Sequence, residues 1–433
     1  MADTDFSMGS NDIWELYGLK ENPFSTNPLL VLGGVIPITC FIGREKELER
    51  ITKQFRSKGG SRTLVVGDFG VGKTSFVNFA RYKARERGHF SPIKEIGIQE
   101  GWSAQDFVIS TLYAISISLQ LTDTKNLLNV ETLKKIESLT AIDRVVSRSG
   151  DLSFMGTGGG YSEERGTSST IPFMALEDLL QTTIKEIYGK TNKEVILHYN
   201  NLERLSERSI RKVFEDLRDT FQMEHTHFVF VGNLSVEGII QSMPRVASIF
   251  SERIPLGTMG YKEIEEILDT RLNQMKMSET VIKPYDSSAF GTLYNLYRGN
   301  IRDILNSFNT AILEATKDRP IVLDKNGMSY ILHQVVETRF LSSLPPKART
   351  ILENILSAKK GEITNRAIAA NTNTDRSNVS TYLRDLERAG CVYLKRRDGK
   401  DKFWSVRPEI KWILLQPTVI PPAKPDEKQA RLL

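Results

Sequence analysis

Gly67-Asp68-Phe69-Gly70-Val71-Gly72-Lys73-Thr74 follows directly on Thr63-Leu64-Val65-Val66, and the reading of this stretch decides the fold. The apolar, β-branched run predicts a buried strand, and the glycine-rich octet predicts a tight turn into a helix from about Lys73 to Arg85. The octet fits G-x-x-x-x-G-K-[ST], a phosphate-binding loop. Its glycines allow backbone N–H groups to point inward onto phosphate oxygens, and the helix that follows adds its positive N-terminal end. Lys73 can reach the β- and γ-phosphates, and the Thr74 hydroxyl can ligate Mg²⁺. Gly67, Asp68, Phe69, Gly70, Val71, Gly72, Lys73, Thr74 and Ser75 are therefore the candidate binding set for ATP or ADP with Mg²⁺. A chain of this length meets the pattern by chance about one time in fifty.

Such a loop needs a partner on a second buried strand. Val195-Ile196-Leu197-His198-Tyr199 has the continuous apolar character of a strand covered on both faces, and it runs into Asn200-Asn201-Leu202-Glu203. An acidic pair at that strand end orients Mg²⁺ and the attacking water. Both positions here are amides. An amide oxygen accepts a hydrogen bond from Mg²⁺-bound water but takes no proton, so slow hydrolysis is expected. Asn200 joins Thr74 as a candidate metal-site residue, and Glu203 is the candidate base, with Glu207 as the alternative. The next strand, His227–Val231, ends in Gly232-Asn233, where Asn233 can touch a γ-phosphate; an Asn after a strand is otherwise a turn residue.

The rest of the chain is consistent with two to three domains in 433 residues. It is 40% hydrophobic and 26% charged, the composition of an ordered globular protein. No apolar run is long enough to span a membrane, and the acidic start Met-Ala-Asp-Thr-Asp is no secretory signal. Two cysteines, Cys40 and Cys391, exclude a disulfide framework and fit a cytoplasmic setting. The net charge of +5 is unevenly spread. Residues 340–433 hold eighteen Lys and Arg against ten acids, so the whole positive excess lies there. That asymmetry points to a nucleic-acid-facing module; a solvated basic face is the other reading.

The spacing predicts an irregular arm over 1–40, an α/β base over 41–258, a helical lid over 259–340, a small module over 347–415 and a disordered tail over 416–433. Within the base, a strand is expected at Ile93–Ile98, helices at Phe107–Leu121 and Ala175–Ile187, and a closing strand at Ile254–Leu256. Residues 141–171 read as a loop or hairpin insert, with six glycines in 150–166. Pro345-Pro346 reads as a linker. In the small module, helices are expected to open at Arg349 and at Ile363. A third helix from Arg376 places Val379, Leu383 and Leu386 on one apolar face. Opposite lie Ser377, Asn378, Ser380, Thr381 and Arg384, hydrogen-bonding side chains suited to a major groove. Two β-type runs joined by Asp398-Gly399 predict a hairpin carrying Lys395, Arg396, Arg397, Lys400 and Lys402. A helix-turn-helix followed by a basic hairpin is a winged helix, whose wing can lie along phosphates. Many winged helices bind proteins instead. His198, His225 and His227 have no metal-ligand company in the local sequence and read as structural.

The order of parts resembles the AAA+ ATPases, and with the winged helix it is most similar to archaeal and eukaryotic replication initiators of the origin-recognition, cell-division-cycle type. Phe41-Ile42-Gly43-Arg44-Glu45 precedes the P-loop as does the segment that packs on adenine in that family, which implicates Ile42 and Gly43 in nucleotide binding. By the same resemblance Asn233 takes the sensor-one position and Arg245, in Pro244-Arg245-Val246-Ala247-Ser248, the arginine-finger position. Gly260-Tyr261-Lys262-Glu263-Ile264 resembles the start of the lid, and Arg302, in Arg298-Gly299-Asn300-Ile301-Arg302-Asp303, matches sensor two. The resemblance implies a doubly covered parallel sheet, a helical lid, double-stranded DNA as a partner, and a homo-oligomer in the ATP state. Two features depart from it: Asn200-Asn201-Leu202-Glu203 is closer to the strand end of signalling and defence P-loop ATPases (the STAND type), and the glycine-rich insert has no initiator counterpart. Helper ATPases of transposition share the plan, including an Asn-Pro-Phe arm. The reading is thus a nucleotide-controlled, DNA-binding initiator or an ATPase that activates a partner DNA enzyme; the alternative is a signalling switch whose winged helix contacts proteins.

Overall fold

The structure is a computed structural model that describes residues 12–149, 171–277, 279–358, 361–398 and 401–415, with backbone alone for 140–149 and 396–398. It forms two compact units, Asn27–Thr258 and Met259 onward, the second also taking in the chain up to Thr26. The first unit contains α1 (Glu45–Phe55), β1 (Gly60–Gly67), α2 (Lys73–Arg85), β2 (Ile96–Gly97), α3 (Ala104–Leu121), α4 (Val130–Ser149), α5 (Phe173–Thr191), β3 (Val195–Asn200), α6 (Glu207–Asp216), β4 (Thr226–Gly232), α7 (Leu234–Gln241), α8 (Pro244–Ala247) and β5 (Glu252–Leu256). Its strands pair in parallel in the order β2-β3-β4-β1-β5.

Strand alternation explains the two covered faces. Phe228 and Phe230 of β4 join Leu197 and Tyr199 of β3 in a core with α3, α5 and α6. Val229 and Val231 point the other way and pack with Ile196, Val65 and the inner faces of α1 and α2. Burying each such side chain contributes about 1.5–3 kcal/mol, which is why both helix layers stay on the sheet. The strand expected at Ile93–Ile98 is reduced to Ile96–Gly97, because its register with β3 spans Tyr199 and Asn200 only. The insert does not begin as a loop: α4 carries helix through Ser149. Its glycine-rich part, 150–166, and the tail 416–433 lie outside the described residues.

The second unit holds α9 (Tyr261–Gln274), α10 (Ser287–Tyr297), α11 (Ile301–Ala315), α12 (Lys325–Val336), α13 (Pro346–Leu356), β6 (Ile363–Thr364), α14 (Asn365–Thr372), α15 (Arg376–Arg388), β7 (Val392–Asp398), β8 (Asp401–Val406) and α16 (Pro408–Leu415). The described part of the arm is ordered by packing. Ile13–Tyr17 makes a turn of 3₁₀ helix, and Phe24 is buried with its ring 5.3 Å from that of Phe308 and 6.0 Å from that of Tyr285. Arg271 of α9 donates to the carbonyls of Pro23 and Ser25 at 3.2 and 2.9 Å. Asn22-Pro23-Phe24 is therefore a plug in the lid.

Pro346 is the first residue of α13 and not linker, a position where the missing N–H costs nothing. Ile363-Thr364 pairs with Phe403-Trp404 as β6, so the second helix of the small module starts two residues later than expected, at Asn365. The hairpin is present, with a bulge between Leu394 and Arg396. The module is docked on the lid: α16 packs against α10 and α12, and the Cys391 thiol lies 3.6 Å from the Phe340 carbonyl. Burial raises the carboxyls of Asp303 and Glu409 above their ordinary pKa values, with Arg407 pulling both down.

Candidate nucleotide pocket and nucleic-acid interface

The P-loop takes the shape its glycines permit. Gly70 and Gly72 have φ of +87° and +90°, a region that side chains with a Cβ rarely enter. Gly67 is required for another reason: a Cβ there would sit 2.3 Å from the Leu256 carbonyl oxygen of neighbouring β5. Lys73 is buried and donates to the carbonyls of Gly67 and Asp68 at 3.0 and 2.9 Å, holding its ammonium inside the loop. Asp68, Gly70 and Val71 complete the turn, and Phe69 stands 68% exposed at its tip.

Asn200 at the end of β3 donates through Nδ2 to Thr74 Oγ1 at 3.1 Å. The two candidate metal-site side chains are thus in contact. Rotating that amide by 180° would let Oδ1 accept from the Thr74 hydroxyl, freeing an oxygen lone pair of Thr74 for a cation. Asn201 is left-handed (φ +68°) and its amide lies beside Gly97. The following turn carries Glu203, whose Oε2 is buried without a hydrogen-bond partner. An orphan carboxylate oxygen costs desolvation free energy unless a water or substrate proton meets it.

Sequence reasoning missed how the surrounding chain grips this loop. Gly43 and Arg44 are both left-handed, and the buried Arg44 guanidinium donates to the carbonyls of Val71 and Gly257. Arg44 therefore splints the P-loop, while half-buried Ile42 and buried Gly43 bring the chain in. Ser75 Oγ accepts from Leu29 N–H at 3.1 Å, which leaves its O–H available as a donor. Asn78 of the same helix donates to the Leu29 carbonyl at 2.9 Å.

Asn233 caps α7 through Oδ1, accepting from Val236 N–H at 3.0 Å, which leaves its Nδ2 group as the one suited to a phosphate. Arg245 is exposed on α8. Arg253, the other arginine near β5, is bound to Glu237. Arg302 belongs to the second unit, on the first turn of α11 beside Asp303.

On α15, Val379, Leu383 and Leu386 are buried, while Ser377, Asn378, Thr381 and Arg384 are exposed. In the wing, Lys402 is exposed, and Arg396 and Arg397 stand in register with Phe403 and Lys402. Lys395 is exposed beside the bulge and lies 3.3 Å from Glu362. Lys400 lies outside the described residues.

Residues 54–244 match the model of the KAP family P-loop domain, and residues 346–393 match that of winged helix-turn-helix DNA-binding domains. A Methanocaldococcus jannaschii protein named as an uncharacterized HTH-type transcriptional regulator is 21% identical over 408 residues, covering 92% of this chain and 93% of its own. Among solved structures, the ORC2 protein of Aeropyrum pernix, in ADPNP and ADP complexes, aligns over 91% of this chain and 95% of its own at 14% identity and a TM-score of 0.47. The ORC1 protein of Aeropyrum pernix in complex with DNA aligns over 93% and 97% at 15% identity and a TM-score of 0.42. The chain thus pairs a P-loop NTPase domain with a C-terminal winged helix-turn-helix. No helix among the described residues is long and apolar enough to cross a membrane.

Proposed function

We propose that this protein binds ATP or ADP with Mg²⁺ in its P-loop and double-stranded DNA through its winged helix, the nucleotide controlling DNA binding and association with further copies. The observation that carries this reading is the exposed polar face of α15 above a fully buried apolar face. A polar outer face is common to surface helices; what supports groove reading here is that α15 falls inside the stretch 346–393 that matches winged helix-turn-helix DNA-binding domains. When bound, Mg²⁺ would be held by Thr74, with Asn200 behind it, and would neutralise phosphate charge. The name of the Methanocaldococcus jannaschii relative, a transcriptional regulator, agrees with a DNA-bound role. An initiator or an activator of a DNA enzyme fits the same parts, and exposed Arg245 suits a neighbour's γ-phosphate in a nucleotide-driven assembly.

Two surfaces of the winged helix should respond differently to mutation. Removing Arg396, Arg397 and Lys402 together weakens binding to every duplex and flattens the slope of log K against log salt by up to ~2.7 units. Arg384→Ala costs ~1–3 kcal/mol at a preferred site and much less elsewhere. Fluorescence anisotropy over a salt series checks both, and a triple variant with an unchanged slope removes the wing from the interface.

The strand end points to a protein governed by binding more than by turnover. With amides at Asn200 and Asn201 the ATPase rate is expected well below ~1 s⁻¹. Asn200→Asp combined with Asn201→Glu should raise it, since carboxylates restore the acidic pair. A fast wild-type enzyme, slowed by Glu203→Gln, would assign the base to Glu203 instead. The second reading, a switch whose winged helix meets proteins, draws on the same amides; it gains if anisotropy detects no duplex binding at low salt while nucleotide still changes the scattering mass.

A further inference from the structure

At the edge of the sheet opposite the P-loop, three side chains distant in sequence come together. His89 follows α2, Glu194 immediately precedes β3, and His227 is the second residue of β4. One ligand atom from each lies within 4.8 Å of the others. The strands run for roughly 20 Å between this edge and the phosphate-binding end, so the cluster is separate from the nucleotide pocket.

The hydrogen bonds around the cluster occupy one nitrogen on each ring. His89 Nδ1 is 3.0 Å from the Glu194 carbonyl, to which it can only donate, so its Nε2 keeps a lone pair. His227 Nδ1 is 2.8 Å from Ser61 Oγ, its register partner on β1. With Ser61 as acceptor, His227 Nε2 also keeps its lone pair, the arrangement by which an outer partner fixes a metal-binding imidazole. His227 is fully buried, yet its Nε2 has no hydrogen-bond partner. A buried ring nitrogen without a partner is unfavourable unless a ligand or an ion meets it.

We propose that His89, Glu194 and His227 form a binding site for a first-row transition metal of the Zn²⁺ class, two imidazoles and one carboxylate with a fourth position left open. Zn²⁺ bonds of ~2.0–2.2 Å need the ligand atoms about 3.3–3.6 Å apart, a closure of roughly 1.3 Å from the 4.8 Å limit. Half-buried His89 also lines a cavity of about 200 Å³, with Arg56, Lys83, Arg87 and Lys193 among its other walls. Water or a small anion from that cavity completes the shell. The two imidazole donors disfavour a hard ion, since Mg²⁺ and Ca²⁺ take oxygen ligands. Bound there, the ion ties the chain beyond the P-loop helix α2 to the starts of β3 and β4.

Co²⁺ serves as the spectroscopic probe, on the full chain with any purification tag removed and nucleotide absent. The expected result is one tightly bound Co²⁺ per chain with four-coordinate visible absorption, displaced by Zn²⁺ and untouched by millimolar Mg²⁺. His89→Ala and Glu194→Gln should each weaken binding at least tenfold. His227→Ala removes a fully buried side chain, so the half-buried His89 carries the test, with circular dichroism verifying the fold of each variant. No Co²⁺ absorption in the wild type, or equal affinity in wild type and both variants, overturns the proposal. Lys73→Ala should leave Co²⁺ binding unchanged, which keeps this site distinct from the nucleotide reading; loss of Co²⁺ in that variant would overturn it.

Discussion

Lys73→Ala should lower the affinity for Mg-ATP at least tenfold, about 1.4 kcal/mol, a change that titration calorimetry would read. Lys73 places its ammonium among the carbonyls of Gly67 and Asp68 and so holds a positive charge where phosphate oxygens would lie. Its burial removes most competing water, which strengthens each charge-assisted bond to phosphate. Alanine also leaves those two carbonyls without their donor, so the empty loop should loosen as well. Lys73→Arg separates these effects: charge is kept, but a planar guanidinium replaces a compact ammonium in a confined loop. We expect arginine to recover little affinity. Equal affinity in wild type and Lys73→Ala would show that this loop does not hold nucleotide.

Arg81→Ala should destabilise the P-loop domain by about 2–5 kcal/mol, the range for truncating a large buried side chain. Arg81 is wholly buried on α2. Its guanidinium donates to Ser91 Oγ at 2.9 Å, to Asn78 Oδ1 at 2.8 Å and to the Pro92 carbonyl. Burial lowers its pKa to about 10, with Glu95 acting to raise it and Arg85 to lower it, so it stays charged at neutral pH. Burial and then Arg81 push the pKa of His198 well below the ordinary value, so the ring beside this guanidinium is neutral. Truncation would leave several acceptors unsatisfied around a large void. Lysine would satisfy fewer of them from one point. A denaturant midpoint that hardly moves in Arg81→Ala would mean that the network relaxes or fills with water.

The P-loop was legible because its signal is local. Glycine, lysine and threonine at fixed spacing impose the loop, and β3 and β4 announce themselves as unbroken apolar runs. The buried stripe of α15 followed from helical periodicity for the same reason. What stayed hidden depends on residues that meet only after folding. The bond from Leu29 N–H to Ser75 Oγ joins residues 46 apart. The pairing of Lys395 with Glu362 likewise forms only once the hairpin is in place. Arg44 entered only as part of the segment before the P-loop, although its guanidinium bridges to that loop. His227 seemed to lack ligand company because that company is His89 and Glu194, far along the chain. The 3₁₀ turn at Ile13–Tyr17 escaped because aromatic packing, rather than any repeat of apolar residues, holds it.

The docking of α16 on α10 and α12 changes what DNA binding must overcome. A winged helix hung on a loose tether explores many headings, and seizing a groove then removes that rotational freedom at the moment of encounter. Here the heading of α15 is settled earlier, when the lid folds and Tyr297, Leu332 and Ile410 are buried. The entropy loss falls on folding instead of on recognition, so a duplex meets a reading head already held still with respect to the lid.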